Sequence, residues 1–354
     1  MLITNLKLQN FRNYNELNVD FNENINIIYG DNAQGKTNIL EAIFVASLGK
    51  SFRTNKEKEL IKFGEQFSKI EVNFSKSDRN GNIKFEISDK KNIFVNGVKI
   101  KKLSELLGII HIVIFTPDDI NILKNGPSQR RRFLDIFIGQ LRPNYIYCLN
   151  LYLKTLEQRN NYLKQIKFEN KPNEFLDIWD EKLCEYAEKV FKYRFEFINK
   201  LKNKIKNVHN IITENNEDIN IEYISDFDNK NNFLNKLKNN RKIDILKGYT
   251  TKGVHKDDFN LYINNNLVNI YGSQGQHRTA ILSLKMSELK VVYDEIGENP
   301  ILLLDDFMSE LDEKRRTNFL KNINDTQVLI TCTDKINLEK INFKLYNIKS
   351  GKLN

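Results

Sequence analysis

Residues 25–42 read INIIYGDNAQGKTNILEA. An apolar run rich in β-branched residues leads into Gly30, and residues 30–37 have the spacing G-x-x-x-x-G-K-[ST]. After Thr37 the apolar residues recur at helical spacing, so the stretch predicts a strand, a glycine loop and a helix. In this context the motif indicates a phosphate-binding loop, and the alternative is a chance glycine turn before a helix.

The residue types in this loop suit a nucleoside triphosphate. The two glycines let the backbone N–H groups turn inward, toward the point where the positive end of the following helix also lies. Lys36 can reach the β- and γ-phosphates, and the Thr37 hydroxyl can ligate Mg²⁺. We therefore expect ATP and Mg²⁺ to bind here, with cofactor contacts from the whole loop: Gly30, Asp31, Asn32, Ala33, Gln34, Gly35, Lys36 and Thr37.

A second part of the nucleotide site is predicted far along the chain. Residues 301–306 read ILLLDD, which indicates a buried parallel strand with two carboxylates at its C-terminal end, where open α/β sheets bind ligands. Asp305 is expected to hold the metal with Thr37, and Asp306 to orient the attacking water. Lys36 and Asp306 are therefore the predicted catalytic residues, and one domain must be built from both ends of the chain.

Another glycine loop, YGSQGQ, lies at residues 271–276 and opens a long helical pattern. Ser273, Gly275 and Gln276 would place a hydroxyl and backbone donors at a helix N-terminus, which suits an anion such as the nucleotide. The alternative is an ordinary helix start, because many helices begin at Ser-Gly turns.

The composition limits the class of protein. A chain of 354 residues is long enough for two domains. No apolar stretch approaches the roughly 20 residues of a membrane span, and the N-terminus does not resemble a signal peptide. Three widely spaced cysteines suggest a reducing compartment, so we expect a cytoplasmic protein. The net charge of +9 favours an anionic partner such as DNA, although A/T-rich coding alone could produce a chain rich in Lys, Asn and Ile.

The chain is predicted to divide into an α/β head and a helical insert. The head comprises residues 1–127 and 248–354, and the insert comprises residues 128–247, where helical periodicity indicates three or four helices. One of these helices is expected to bury a face composed of Phe191, Phe195, Ile198, Leu201 and Ile205.

The N-terminal part of the head is predicted to be rich in strands. Residues 67–115 alternate as a β-meander, with Asn96-Gly97 as a two-residue hairpin turn. Arg12 lies at the turn of the first hairpin, where it could contact the nucleotide or be a solvated loop residue.

Two basic segments of the insert are candidate phosphate contacts. Residues 182–206 contain eight Lys or Arg and three Glu, a pattern that fits a solvated helix face as well as a DNA-facing surface. Residues 130–132 are three consecutive arginines, which cannot all share one helix face. Since arginine binds phosphate oxygens through paired hydrogen bonds, residues 130–132 favour contact with nucleotide or DNA.

Taken in order, these motifs resemble the RecF family of the ABC/SMC-type ATPases over essentially the whole chain. Residues 273–276 match the ABC signature position in that family. Val254 and Lys256 are departures, since the family usually has proline and arginine there. The similar segments are residues 10–14, 30–42, 115–119, 130–135, 273–276, 304–306 and 309–312.

The resemblance implies an ABC-type P-loop ATPase head with an inserted helical domain, and a homodimer induced by ATP. It further implies binding to duplex DNA and to junctions of single-stranded and duplex DNA in recombinational repair and replication-fork maintenance. RecO and RecR are the implied partners in loading RecA at single-strand gaps, without any membrane.

The two alternatives to this function are a transporter ATPase subunit and a repair scaffold. A transporter ATPase subunit is disfavoured, because Asp306 stands where transporters have glutamate and Thr331-Cys332-Thr333 lacks their switch histidine. A repair scaffold would need ATP binding but not hydrolysis, whereas the leading hypothesis is slow hydrolysis used as a switch.

Overall fold

The structure is a computed structural model that describes residues 1–77, 79–306, 319, 323, 325–333, 343–349 and 351–353. The chain forms two compact units. The head unit contains Met1–Asp119 and Lys285–Asn354, and the helical unit contains Ile120–Leu284. Both ends of the chain therefore belong to one unit.

A mostly parallel sheet in the head unit carries the nucleotide motifs. Neighbouring strands are parallel except for the two at one edge of the sheet, Phe343–Lys349 and Lys352–Leu353, which are antiparallel. Three of the strands are buried along their whole length, which accounts for their continuous apolar sequences. In spatial order the strands are β15 (Lys352–Leu353), β14 (Phe343–Lys349), β3 (Ile25–Tyr29), β13 (Val328–Cys332), β12 (Ile301–Asp305) and β8 (Ile112–Phe115).

Helix α1 (Lys36–Leu48) follows β3 after the glycine loop. Residues 112–115, predicted to belong to the β-meander, form β8 of the parallel sheet. The head unit also contains an antiparallel sheet, in which residues 68–99 form the predicted β-meander. Asn96 and Gly97 form its tight turn, with φ angles of 50° and 78°. In spatial order its strands are β2 (Tyr14–Asp20), β1 (Leu2–Phe11), β4 (Ser68–Ser75), β5 (Asn80–Ile87), β6 (Lys91–Val95) and β7 (Val98–Lys99).

The helical unit contains the predicted helices. Between residues 127 and 247 there are four long ones, and α8 (Gln274–Ile296) begins in this unit and continues in the head unit. Every helix in the described part of the chain is too short or too polar to span a bilayer. The remaining helices are α2 (Asn121–Lys124), α3 (Pro127–Leu141), α4 (Pro143–Glu169), α5 (Leu176–Thr213), α6 (Lys230–Lys247) and α7 (Val268–Tyr271).

A small antiparallel sheet in the helical unit contains one strand, Ile219–Ile224, that was not predicted. Its strands are β11 (Asn266–Leu267), β10 (Asp258–Ile263) and β9 (Ile219–Ile224), in that spatial order. Since β9 pairs with the whole of β10, residues 248–284 group with the helical unit and not with the head as predicted. The alternation of Ile219 and Ile221 was the available signal for β9.

The buried face of α5 also differs from the prediction. Ile198, Leu201 and Ile205 are buried as expected, but Phe195 is 48% exposed and Phe191 is half-buried. In their place Arg194 points inward, where Asp135 and Asp257 neutralise its charge at 2.9 and 3.0 Å. These ion pairs thus allow Arg194 to lie on the buried face of α5, although hydrophobic periodicity predicts that a charged residue is exposed.

Candidate nucleotide-binding site

The P-loop (residues 30–37) connects β3 to α1 through a backbone that favours glycine. Gly30 has a φ of 148° and Gly35 a φ of 110°, conformations that other residues rarely adopt. A Cβ on Gly35 would lie 2.6 Å from Asn13 Nδ2 and 2.9 Å from the Tyr14 hydroxyl. The turn between β1 and β2 therefore leaves room for the loop only because residue 35 has no side chain.

Asn13 and Tyr14 also position the P-loop through hydrogen bonds, a role that was not predicted from the sequence. Asn13 Nδ2 donates to the Gln34 carbonyl at 2.9 Å, and the buried Tyr14 hydroxyl donates to the Gly35 carbonyl at 3.1 Å. In a trans peptide the N–H points opposite to its carbonyl. These two bonds therefore aim the N–H groups of Gly35 and Lys36 away from the turn. The available signal in the sequence is the polar pair directly after Arg12.

Lys36 lies against the loop itself. Its ammonium donates to the carbonyls of Gly30 and Asp31 at 2.6 and 2.9 Å, and the residue is 5% exposed. Both partners are neutral backbone groups, and a hydrogen bond from an ammonium to a phosphate oxygen is stronger than one to a carbonyl. The lysine can therefore transfer its hydrogen bonds to a bound phosphate without leaving a buried carboxylate behind.

The two halves of the predicted site meet at Thr37 and Asp305. The Thr37 hydroxyl donates to Asp305 Oδ1 at 2.7 Å, and the Thr331 hydroxyl donates to the same oxygen at 2.8 Å. Burial raises the pKa of Asp305, while these two hydrogen bonds favour its charged form and lower it. A hydroxyl and a carboxylate are hard oxygen ligands, so this pair fits Mg²⁺.

Asp306 follows directly after β12 in a left-handed conformation, with a φ of 45°. Its N–H donates to the Thr331 hydroxyl at 3.0 Å. Thr331, on β13, thereby positions the backbone of Asp306 and the side chain of Asp305. The predicted D-loop at residues 309–312 lies outside the described residues.

Arg12 has a structural partner, the carboxylate of Glu41. Its Nε and Nη2 donate to the two oxygens of Glu41 at 2.9 and 2.6 Å, and its Nη1 donates to the Glu59 carbonyl at 2.7 Å. Glu41 is fully buried on α1, and a buried carboxylate requires such a counter-ion. Arg12 thus neutralises Glu41, and a contact with nucleotide stays a prediction.

The signature loop (residues 273–276) lies at the start of α8 in the helical unit. Gln276 N–H donates to the Ser273 hydroxyl at 3.2 Å, and Ser273 N–H donates to Gln276 Oε1 at 3.0 Å. This reciprocal pair is a capping box. Ser273 and Gly275 are exposed, so the helix N-terminus is accessible to an anion.

Two of the three consecutive arginines, Arg130 and Arg131, have structural roles that were not predicted from the sequence. Arg130 is buried, and it pairs with both oxygens of Asp258. Arg131 donates to the Asp257 carbonyl at 2.8 Å. Val254, a departure from the family pattern, is buried, and its carbonyl accepts a hydrogen bond from Arg194 at 2.6 Å. Arg130 is thus unavailable to a phosphate because its own carboxylate partner occupies it.

A phosphate loop and a carboxylate strand set in a parallel sheet, with a helical insertion between them, place this protein among the P-loop ATPase heads of the ABC/SMC type. The family model described as RecF/RecN/SMC N terminal domain matches residues 2–352. The DNA replication and repair protein RecF of Lachnospira eligens is 46% identical to this chain, covering 96% of it and 97% of that protein. RecF of Clostridium acetobutylicum is 42% identical, covering 100% of this chain and 99% of that protein. The chain belongs to the RecF family.

Solved structures agree with this assignment. The recombination mediator protein RecF with ATP, in the RecFOR pathway, matches with a TM-score of 0.93 and 39% identity, over 99% of this chain and 96% of that one. An Smc head domain of Pyrococcus furiosus with an extended coiled coil, bound to the C-terminal domain of ScpA, has a TM-score of 0.59 and 16% identity over 99% and 94% of the two chains. The second similarity shows a shared fold alone, and together they confirm the predicted fold class.

Proposed function

We propose that this protein is an ATP-dependent DNA-binding protein of recombinational repair and replication-fork maintenance that acts as an ATP-induced homodimer. The hydrogen bond between Thr37 and Asp305 carries the proposal, because it unites the two halves of a nucleotide site in a chain of the RecF family. The relatives are DNA replication and repair proteins, and the similar RecF structure contains ATP.

The P-loop residues suit the triphosphate of ATP. Its β- and γ-phosphates would lie at the N-terminus of α1, accepting hydrogen bonds from loop N–H groups and from Lys36. Thr37 and Asp305 would hold Mg²⁺, which would neutralise charge on the phosphates when bound. Asp306 would orient the attacking water. Since aspartate is one methylene shorter than glutamate, its control of that water would be weaker, consistent with slow hydrolysis used as a switch.

The second half of each site would come from another copy of the chain. In a monomer the γ-phosphate on the P-loop would be exposed to solvent, and the signature loop offers a complementary anion-binding helix end. We propose that Ser273 acts in trans, closing the site that holds Lys36 of the partner chain. A symmetric dimer would then have two composite sites.

The dimer would bind duplex DNA and junctions between single-stranded and duplex DNA. The net charge of +9 supports a polyanionic partner, and the exposed lysines of α5 are candidate contacts. Family membership supports cooperation with RecO and RecR in loading RecA at single-strand gaps, within the cytoplasm.

A mixing experiment tests the composite site. Lys36→Ala should remove the binding half, and Ser273→Arg should fill the closing half with a bulky cation. Each variant alone should lose ATP-driven dimerisation, ATP-dependent DNA binding and hydrolysis. Their mixture should recover part of all three, because a heterodimer has one intact site. Dimerisation is measured by light scattering, DNA binding by fluorescence anisotropy and hydrolysis by phosphate release.

The matched control places both substitutions in one chain. Lys36→Ala/Ser273→Arg mixed with either single variant should recover none of the three activities, because neither heterodimer has an intact site. Full hydrolysis by Ser273→Arg alone would refute the role in trans, and wild-type turnover by Lys36→Ala would refute the assignment of the nucleotide site.

A further inference from the structure

Glu217 lies outside the P-loop motifs, in the connection between α5 and β9, and it contacts the signature loop. Its Oε1 accepts a hydrogen bond from Gln276 Nε2 at 2.9 Å. Gln276 is the residue whose other amide atom, Oε1, accepts the N–H of Ser273. A single side-chain amide therefore links Glu217 to the residue that is proposed to close the nucleotide site.

The second oxygen of Glu217 lies beside a buried residue of the helical unit. Glu217 Oε2 lies 3.4 Å from Nε2 of His209, a residue of α5 with no exposed surface. His209 Nδ1 lies 2.8 Å from the hydroxyl of Ser283, which donates to the Thr279 carbonyl at 2.7 Å on α8. Glu217 thus lies against a buried histidine of α5, and its hydrogen bond to Gln276 links it to α8.

The carboxylate of Glu217 determines how Gln276 orients its amide. An amide has one donor end and one acceptor end. Because Glu217 is an acceptor, the Nε2 end must face it, and the Oε1 end is then directed to the Ser273 N–H. The capping box formed in this way fixes the Ser273 hydroxyl as the acceptor of the Gln276 N–H. The proton of that hydroxyl is consequently directed elsewhere, where it can be donated to a phosphate oxygen.

We propose that Glu217 is a positioning residue for ATP hydrolysis, which keeps the signature loop in the conformation that donates to the nucleotide on the partner chain. The inference rests on the proposed function, since it requires Ser273 to meet ATP in trans. It adds a residue of the helical unit to the machinery that closes the site.

Substitutions at the Glu217–Gln276 contact test the inference. Glu217→Ala should lower kcat by roughly tenfold or more, since it removes a hydrogen bond to a charged group. It should also weaken ATP-driven dimerisation. The affinity of the monomer for ATP, measured at protein concentrations too low for dimers, should stay unchanged because the P-loop is intact. A residue needed only for folding would not separate these two measurements.

An exchange of the two side chains provides the rescue. Gln276→Glu alone places two carboxylates face to face and should lower kcat as much as Glu217→Ala or more. In the double variant Glu217→Gln/Gln276→Glu the amide donates in the opposite direction, and residue 276 still has an oxygen for the Ser273 N–H. Its kcat should recover toward the wild-type value.

Asp218→Ala is the matched control. Asp218 is adjacent in sequence, but it pairs with Lys206 at 2.9 Å and has no role in the signature loop. Its kcat should equal that of the wild type. Wild-type kcat in Glu217→Ala, or no recovery in the exchanged pair, would overturn the positioning role while leaving the composite site intact. A wild-type protein that neither dimerises with ATP nor hydrolyses it would overturn the proposed function, and the positioning role with it.

Discussion

The charged residues of the P-loop site and those inside the helical unit are held in opposite ways. In the head unit, Lys36 donates to two backbone carbonyls of the described residues, which a phosphate can replace. In the helical unit, Arg159 is completely buried, and it donates to Asp180 at 2.6 Å and to Asp244 at 2.8 Å. Arg194 is buried in the same way between Asp135 and Asp257.

This difference shows why a basic residue in the sequence does not indicate a phosphate contact by itself. A side chain with neutral, replaceable partners can bind a ligand at little cost, whereas one that neutralises a buried carboxylate would leave that carboxylate unpaired. Arg12 and Arg130, both candidates from sequence, belong to the second group because Glu41 and Asp258 hold them.

The largest expected effect concerns the buried ion pairs. Arg159→Met should lower the free energy of unfolding by about 3–5 kcal/mol, because Asp180 and Asp244 would lose their buried partner. The affinity of the folded protein for ATP should not change, since the P-loop lies in the other unit. Urea denaturation and nucleotide titration measure the two quantities.

Lys154→Met is the control for this substitution, because Lys154 is exposed on the same helix, α4. It should change the free energy of unfolding by no more than about 0.5 kcal/mol. Equal stability of Arg159→Met and the wild-type chain would mean that the buried network contributes nothing to folding, and the comparison would fail.

A smaller effect is expected where the P-loop is held. Tyr14→Phe removes the hydrogen bond to the Gly35 carbonyl, which should cost about 1 kcal/mol of stability. Because that bond also orients the Lys36 N–H, the affinity for ATP should fall roughly three- to tenfold, as measured by isothermal titration calorimetry.

Tyr346→Phe is the control that separates the loss of stability from the loss of affinity for ATP. The Tyr346 hydroxyl donates to the Asp20 carbonyl at 2.7 Å, and the residue is buried in the same unit but does not bond the P-loop. It should lower stability by a similar amount and leave the affinity for ATP unchanged. Equal losses of affinity in both variants would show that Tyr14 acts through general stability and not through the loop.

The smallest effect is expected at the surface of α5, where the lysines, unlike Arg194, are not buried. Changing Lys200, Lys202, Lys204 and Lys206 together to Gln should reduce the slope of log K against log [salt] for DNA binding. The expected reduction is about 0.9 for each lysine that meets a phosphate.

The control makes the same change to Gln at four exposed lysines of α6, namely Lys236, Lys238, Lys242 and Lys247. An equal change of slope in both sets would indicate an effect of net charge alone. An unchanged slope in the α5 set would show that this face is solvated and that DNA lies elsewhere.

The sequence by itself determined the elements that depend on neighbouring residues. The strand, glycine loop and helix at residues 25–48, the Asn96-Gly97 hairpin and the four long helices are all found in the structure. Their signals are local, since periodicity, turn residues and left-handed glycines act over a few positions of the chain. The pairing of Thr37 with Asp305 was also predictable, because a parallel sheet collects the carboxyl ends of its strands.

Only the tertiary structure decided the partners of the polar residues. The pairing of Arg12 with Glu41, and the burial of Arg194 and not Phe195 on α5, depend on carboxylates elsewhere in the chain. The pairing of β9 with β10, the hold of Asn13 and Tyr14 on the P-loop, and the contact of Glu217 with Gln276 are likewise non-local. Burial makes an unpaired charge or hydrogen-bonding group costly, so the folded neighbours and not the residue type determine which polar side chains stay available to a ligand.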